Sequence, residues 1–421
     1  MVKSSLLVLL FVFIAILKSE EYSGGSGTEA DPYQISTLND LKILSETSED
    51  WTKYFKQTDD IDASETQNWD NGKGFNPIGK FQGVYDGDNH NITGLYIKRT
   101  TQYDVRIALF GVIENAEVSN LALENLFVEG SNSVGGLAGT IRYGSIIKNC
   151  STSGIIKSSD HNPYVNQLCG GLVAYLKDNC KVENSSSSCE VDGCKYVGNL
   201  IGSVTLNCLV LNSYAIGSVA GSIQVGGLVG ECCYNSKIEN CYSSGVVSGD
   251  ELVGGLVGRL ENSFVENSYW DKETSGQTTS AGGEGKTTEE MKDINTYQNW
   301  DFSDIWSISE NENNGYPILL WQSTNSTIVE ETVPTSTVLL QNYPNPFNPT
   351  TTIKFYNEID SKIKLSIYNA KGEIVSELIN GKVSKGFHTV KFDASRLNSG
   401  VYYYSLETAN KIYSKSMLLL K

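Results

Sequence analysis

Val225-Gly226-Gly227-Leu228-Val229-Gly230 is one of a series of near-copies that recur through the middle of the chain. Val253-Gly254-Gly255-Leu256-Val257-Gly258 follows it. Val197-Gly198-Asn199-Leu200-Ile201-Gly202, Cys169-Gly170-Gly171-Leu172-Val173-Ala174, Val134-Gly135-Gly136-Leu137-Ala138-Gly139 and, more faintly, Ala108-Leu109-Phe110-Gly111 precede it. Gly258, Gly230, Gly202 and Ala174 stand 28 residues apart, Ala174 and Gly139 35, and Gly139 and Gly111 28 again. A period of that length marks a repeat architecture whose units stack on one another. A phosphate-cradling Gly-rich loop would open a helix and occur once, so these glycines belong to the corner of a recurring coil.

Aligning the copies places like over like. One apolar ladder is Leu137, Leu172, Leu200, Leu228 and Leu256; a second is Ile147, Val182, Val210, Ile238 and Val265; a third is Ile156, Val191, Val219 and Val247. Three ladders on separate short strands predict an all-β fold, a right-handed parallel β-helix with coils about 4.8 Å apart. Asn149, Asn184, Asn212, Asn240 and, after a one-residue deletion, Asn267 form a polar column, because asparagine tolerates left-handed backbone and its amide both donates and accepts. Tyr214, Tyr242 and Tyr269 form another column. Facing outward, they would offer an aromatic strip to a sugar ring or a partner surface, and they are the candidate ligand-binding residues; the alternative is ring stacking that stabilises the sheet.

The composition limits the function classes. The formal charge is −17, with 32 Lys+Arg against 49 Asp+Glu, which argues against nucleic acid as a partner. The nine cysteines all lie between Cys150 and Cys241, several in slots filled elsewhere by Val or Ser, as small core residues would. Cys180 and Cys208 share one slot in successive repeats and are the candidate disulfide pair. No spacing matches a closed metal site.

Residues 1–20 read as a signal peptide, with Lys3 ahead of an apolar run from Leu6 to Leu17. Residues 21–106 read as an N-terminal cap with the first coils, Leu38, Leu41 and Leu44 falling at helical spacing. Residues 107–322 hold the repeats and a closing segment, and 323–337 a Ser/Thr-rich linker. Residues 338–421 restart as compact β-structure, in which Ile363, Leu365 and Ile367 alternate with polar residues; a small immunoglobulin-like antiparallel sandwich is expected.

The repeats, followed by Lys237-Ile238-Glu239-Asn240-Cys241-Tyr242-Ser243-Ser244-Gly245, resemble the GLUG repeat of bacterial surface and secreted proteins, which also occurs beside some immunoglobulin-A-cleaving metallopeptidases. The flanks Gly27 to Thr37 and Ser268 to Gln322 are similar to the usual entry and exit of such domains. That resemblance implies a scaffold and leaves the activity open. Gln341-Asn342-Tyr343-Pro344-Asn345-Pro346-Phe347-Asn348-Pro349, Leu397-Asn398-Ser399-Gly400-Val401-Tyr402 and the terminal Lys415 to Lys421 look like a type A C-terminal sorting domain of the type IX secretion system. The resemblance implies recognition by that export machinery and delivery through the periplasm to the outer surface, with attachment to surface lipopolysaccharide.

Three histidines, none in a His-Glu-x-x-His pattern, offer no zinc peptidase, and there is no Gly-x-Ser-x-Gly nucleophile elbow. The chain therefore presents no catalytic set, metal ligands or cofactor motif. Asp59, Asp60, Asp62, Asp86 and Asp88 form the densest acidic group and suit turn positions. The sequence favours a secreted or surface-attached β-helix that adheres to, or binds, a glycan or protein. The alternative is a polysaccharide-active lyase or glycosidase on the same scaffold.

Overall fold

The structure is a computed structural model that describes residues 21–323, except 102 and 160–166, and residues 337–421, except 340, 341, 343, 344, 346, 409 and 410. The expected signal peptide, residues 324–336 of the expected linker, and part of the Gln341 to Pro349 motif lie outside the described residues. The chain divides into two compact units, Met1–Ser323 and Thr324–Lys421.

The first unit is a parallel β-helix. Cys169 pairs with Val197, Val197 with Val225 and Val225 with Val253, each in register. A full coil carries five short strands, for example Leu168–Gly170, Val173–Leu176, Lys181–Glu183, Ser186–Ser187 and Glu190–Asp192. All three apolar ladders face the interior, and all but Val265 are fully buried. The Gly-Gly pair sits where successive coils approach closely: a Cβ on Gly171 would meet the carbonyl oxygen of Asn199 at 2.1 Å, and one on Gly227 that of Gly255 at 2.1 Å.

Helix α1 (Leu38–Glu46) closes the N-terminal end. Thr37 and Asp40 form a capping box at its start, and Leu41 and Leu44 are buried in the common core. Tyr33, Phe55, Phe81 and Phe110 continue as a chain of ring contacts into the first coils, with centroids 5.0–5.9 Å apart. At the far end the indole of Trp270, 3 % exposed, covers the last coil.

Corners are set by asparagine. Asn149, Asn184, Asn212, Asn240 and Asn267 all adopt φ between 44° and 52°. The Asn240 amide donates to Asn212 Oδ1 and the Asn212 amide to Asn184 Oδ1, both at 3.2 Å, while Asn149 donates to Asn120 Oδ1 at 2.9 Å. The column continues past its sequence signature, since Asn120 donates to Asp86 at 2.9 Å. A second column, Asn179, Asn207, Asn235 and Asn262, is also left-handed.

The residue after each corner asparagine explains the cysteines. The Cys150 N–H donates to Ser185 Oγ at 3.1 Å, that of Ser185 to Ser213 Oγ at 3.2 Å, and that of Cys241 to Ser268 Oγ at 3.1 Å. On the second corner the N–H of Cys180 donates to Cys208 Sγ, and that of Cys208 to Ser236 Oγ, both at 3.2 Å. Most of these side chains in turn donate to the carbonyl two residues back, as Ser185 does to Glu183 at 2.8 Å and Cys241 to Glu239 at 3.1 Å. The slot needs a short side chain that accepts along the axis and donates within its own coil, which serine and, more weakly, cysteine both do. The expected Cys180–Cys208 disulfide is not formed. Both thiols are members of this ladder, and no described cysteine is in a disulfide.

The second unit has two antiparallel sheets. Val338–Leu339, Thr350–Asn357 and Gly386–Asp393 make one; Ile374–Val383, Ser361–Tyr368, Gly400–Glu407 and Ile412–Leu419, in that spatial order, make the other. Ile363, Leu365 and Ile367 are buried with Phe355, Tyr404 and Leu419, as the alternation predicts.

Two predictions follow from the corner ladders. Cys208→Ser should leave the denaturation midpoint nearly unchanged, whereas Cys208→Val, which strands the Cys180 N–H, should destabilise by about 1–3 kcal/mol; equal effects in chemical denaturation would refute the ladder role. Burial pushes the Cys150 and Cys241 thiols up from the ordinary 9.0 to about 12. Both states are then neutral below pH 9 and stability is full there. Above it the unfolded chain ionises first, so stability should fall by about 1.4 kcal/mol per pH unit for each thiol until pH 12. A denaturation midpoint that stays flat from pH 8 to pH 11 would contradict this.

Candidate functional site

Tyr214, Tyr242 and Tyr269 stack in register as the sequence predicts, but they do not form an exposed strip. They are 5 %, 0 % and 8 % exposed. The rings point out of the coil, yet the chain beyond the last coil runs back along them as a strap, from Met291 to Gln322. Met291, Tyr297, Trp300, Trp306, Tyr316 and Leu319 bury themselves against the three tyrosines in a second apolar cluster. Tyr214 and Tyr242 are parallel, with centroids 5.1 Å apart.

Directional bonds fix the strap in place. The Tyr242 hydroxyl donates to the Pro317 carbonyl at 2.6 Å and the Tyr214 hydroxyl to Gln322 Oε1 at 2.9 Å. Trp300 donates its indole N–H to the Asn267 carbonyl at 2.8 Å, and Trp321 donates to that of Asn184 at 2.9 Å. Burial pushes the Tyr214 phenol up to about 12, so it remains a donor across the physiological range. The three tyrosines are a docking ridge for the protein's own strap. Sequence reasoning missed this because the strap lies outside the repeat, although its aromatic residues were a visible signal.

The described part of the strap reaches as far as Ser186, where Gln322 Nε2 donates to Ser186 Oγ at 2.8 Å. Register continues the tyrosine column toward the N-terminus as Ser186, Ser151, Ala122 and Asn91. Small side chains there leave an open groove of about 370 Å³, bounded by Tyr214, Ile318, Trp321 and Gln322 at the strap end and by Asn89 and Glu124 farther along. The amides of Asn89 and Asn91, the Glu124 carboxylate and the Ser151 hydroxyl have no side-chain partner among the described residues. The neighbouring corner amides are committed to the ladder. The groove thus combines an indole, a phenol and uncommitted hydrogen-bonding groups, which is the equipment for holding a polyhydroxylated chain.

The acidic group is structural. Asp60 Oδ1 accepts from the Asn91 N–H at 2.9 Å and meets His90 Nδ1 at 3.1 Å, Asp62 accepts from the Ser64 N–H, Asp86 joins the asparagine column, and Asp88 pairs with Lys56 at 3.0 Å. The backbone bond from Asn91 holds the exposed Asp60 carboxyl below its ordinary range.

Comparison with known proteins separates the two units. Residues 341–419 match the secretion system C-terminal sorting domain. The chain therefore carries a type IX sorting tail, which engages that secretion machinery and places the protein outside the cell, at the outer surface. Halomucin of Haloquadratum walsbyi is 34 % identical over 172 residues, covering 40 % of this chain and 2 % of that protein. A putative Gly-rich membrane protein of Evansella cellulosilytica is 35 % identical over 159 residues, covering 34 % of this chain and 18 % of its own length. The chain thus spans under a fifth of either curated relative. Among solved structures, an IgA1 protease chain aligns with a TM-score of 0.41 at 15 % identity, over 56 % of this chain and 19 % of that one.

Deleting Val338 to Lys421 should leave the β-helix in the periplasm, as judged by fractionation and surface proteolysis. Undiminished surface display of the truncated protein would overturn the role of the tail.

Proposed function

We propose that this is a cell-surface binding protein whose β-helix holds a neutral glycan chain in the groove at the end of the strap. The observation that carries the reading is the set of uncommitted polar groups on Asn89, Asn91, Glu124 and Ser151 facing the same open space as Trp321. The corner amides of Asn149, Asn212 and Asn240, by contrast, are tied into a ladder. A sugar ring presents an apolar face suited to an indole and hydroxyls suited to amides and a carboxylate. Surface export through the tail places the groove where exogenous or neighbouring-cell glycans are met.

The alternative, a polysaccharide-active enzyme, finds less support in this groove. Hydrolysis by the usual route needs two carboxyl groups flanking the scissile bond. Glu124 is the one carboxylate that lines it among the described residues.

A glycan array followed by calorimetry should find a neutral oligosaccharide ligand for the full chain. Trp321→Ala and Asn91→Ala should each weaken binding by about tenfold or more, the size expected for losing about 1.4 kcal/mol of contact. Reducing-sugar release from any bound polysaccharide would replace the binding reading with the enzymatic one.

A further inference from the structure

A different face of the β-helix carries a second set of groups. Seven parallel strands, from Ile78–Phe81 to Val257–Glu261, form one sheet whose outward column is Lys80, Val112, Thr140, Tyr175, Ser203, Glu231 and Arg259. Two carboxylates on this sheet are each gripped by an arginine one coil later. Glu114 pairs with Arg142 at 2.7 Å and with Lys80 at 3.0 Å. Glu231 pairs with Arg259 at 2.7 Å and accepts from Ser203 and Gln224, both at 3.2 Å. Between the grips lies an uncharged stretch of Thr140, Tyr175 and Ser203, and a groove of about 270 Å³ runs from it between Tyr196 and Tyr234 to the later grip, where Glu231, Arg259 and Glu261 line it.

The two rims are built against backbone preference. Arg106, Tyr196, Gln224 and Leu252 on one side, and Tyr143, Leu206 and Tyr234 on the other, all have φ between 53° and 63°. Left-handed backbone costs an ordinary L-residue about 1–2 kcal/mol, and the neighbouring corners avoid that cost with asparagine or glycine. Large side chains are nevertheless held here, and Tyr143, Leu206, Tyr234 and Leu252 are left exposed.

The cation distribution is equally uneven. Three of the four arginines before Val338, namely Arg106, Arg142 and Arg259, lie on this sheet or its rim, in a chain whose formal charge is −17. The Arg106 guanidinium and the Lys195 ammonium have no carboxylate partner among the described residues. Lys195 lies 4.7 Å over the Tyr196 ring, and Lys177 lies 5.6 Å over that of Tyr175.

From this combination we infer that the face between the Arg106/Tyr196 and Tyr143/Tyr234 rims is a second binding site, for an anionic polysaccharide lying along the helix axis. The rings seat sugar faces, and the uncommitted cations meet carboxylates or sulfates spaced along the chain. Lys80 and Arg142 outweigh Glu114, and Arg259 is shared between Glu231 and Glu261, so repulsion is lowest at the Arg106 and Lys195 side of the face.

The test uses the full chain with polygalacturonate, dextran sulfate and uncharged dextran as immobilised probes. At low ionic strength one or both polyanions should bind and dextran should not. Raising the salt to 0.3 M should weaken binding by about tenfold, since exposed charges are screened. Arg106→Asn with Lys195→Ser should weaken it by a similar factor while the denaturation midpoint is kept, because asparagine suits the left-handed corner. Trp321→Ala should leave polyanion binding unchanged. Failure of both polyanions, equal binding of dextran that persists in Trp321→Ala, or full binding by the Arg106/Lys195 variant would overturn the site. Loss on Trp321→Ala would assign the binding to the strap-end groove instead.

Discussion

A parallel β-helix has one exacting requirement: each group that points along the axis must find its partner in the next coil, at the same place in the coil. Strands satisfy it with their own backbones. Corners cannot, because a left-handed residue turns the following N–H out of the ladder, and a side chain must receive it. The alternation of Ser and Cys after the corner asparagines is this requirement written into sequence. The Gly-Gly corners express its steric counterpart, since the coils there approach so closely that a Cβ would collide with the next coil's carbonyl. Apolar ladders provide the driving force, and the corners decide that each coil stops where the previous one did.

Much of this was legible because repetition compares the chain with itself. Leu228 and its counterparts, Val210 and its counterparts, and the asparagine column were all read from spacing and lie where spacing put them. The slot shared by Cys150, Cys241, Ser185 and Ser213 was also visible. Its meaning was not, because a buried small residue and a hydrogen-bonding rung look alike in sequence. The Cys180–Cys208 pairing erred for that reason: proximity was read correctly, and the chemistry of the slot was not.

The outward faces were harder to read, for a related reason. Side chains that point outward are released from the like-over-like rule, so Lys80, Val112, Tyr175 and Glu231 share a column without resembling one another. The tyrosine column obeyed the rule and was visible, but its cover came from a segment with no period at all. Only tertiary structure shows that Trp306 and Tyr316 sit on Tyr242. The groove beside Trp321 and Gln322 is bounded by that cover and by the coils together, which neither segment reveals alone.

The strap also changes how the solenoid holds together over time. Stacked repeats normally interact with nearest neighbours only, so an end coil opens at little cost and the opening spreads inward. Here Trp300 is bonded to the last coil at Asn267, and Trp321 reaches back to Asn184, three coils earlier. Fraying of the end therefore requires the whole aromatic seam to separate at once. A linear array becomes a single cooperative block at that end, which suits a molecule exported to the outer surface.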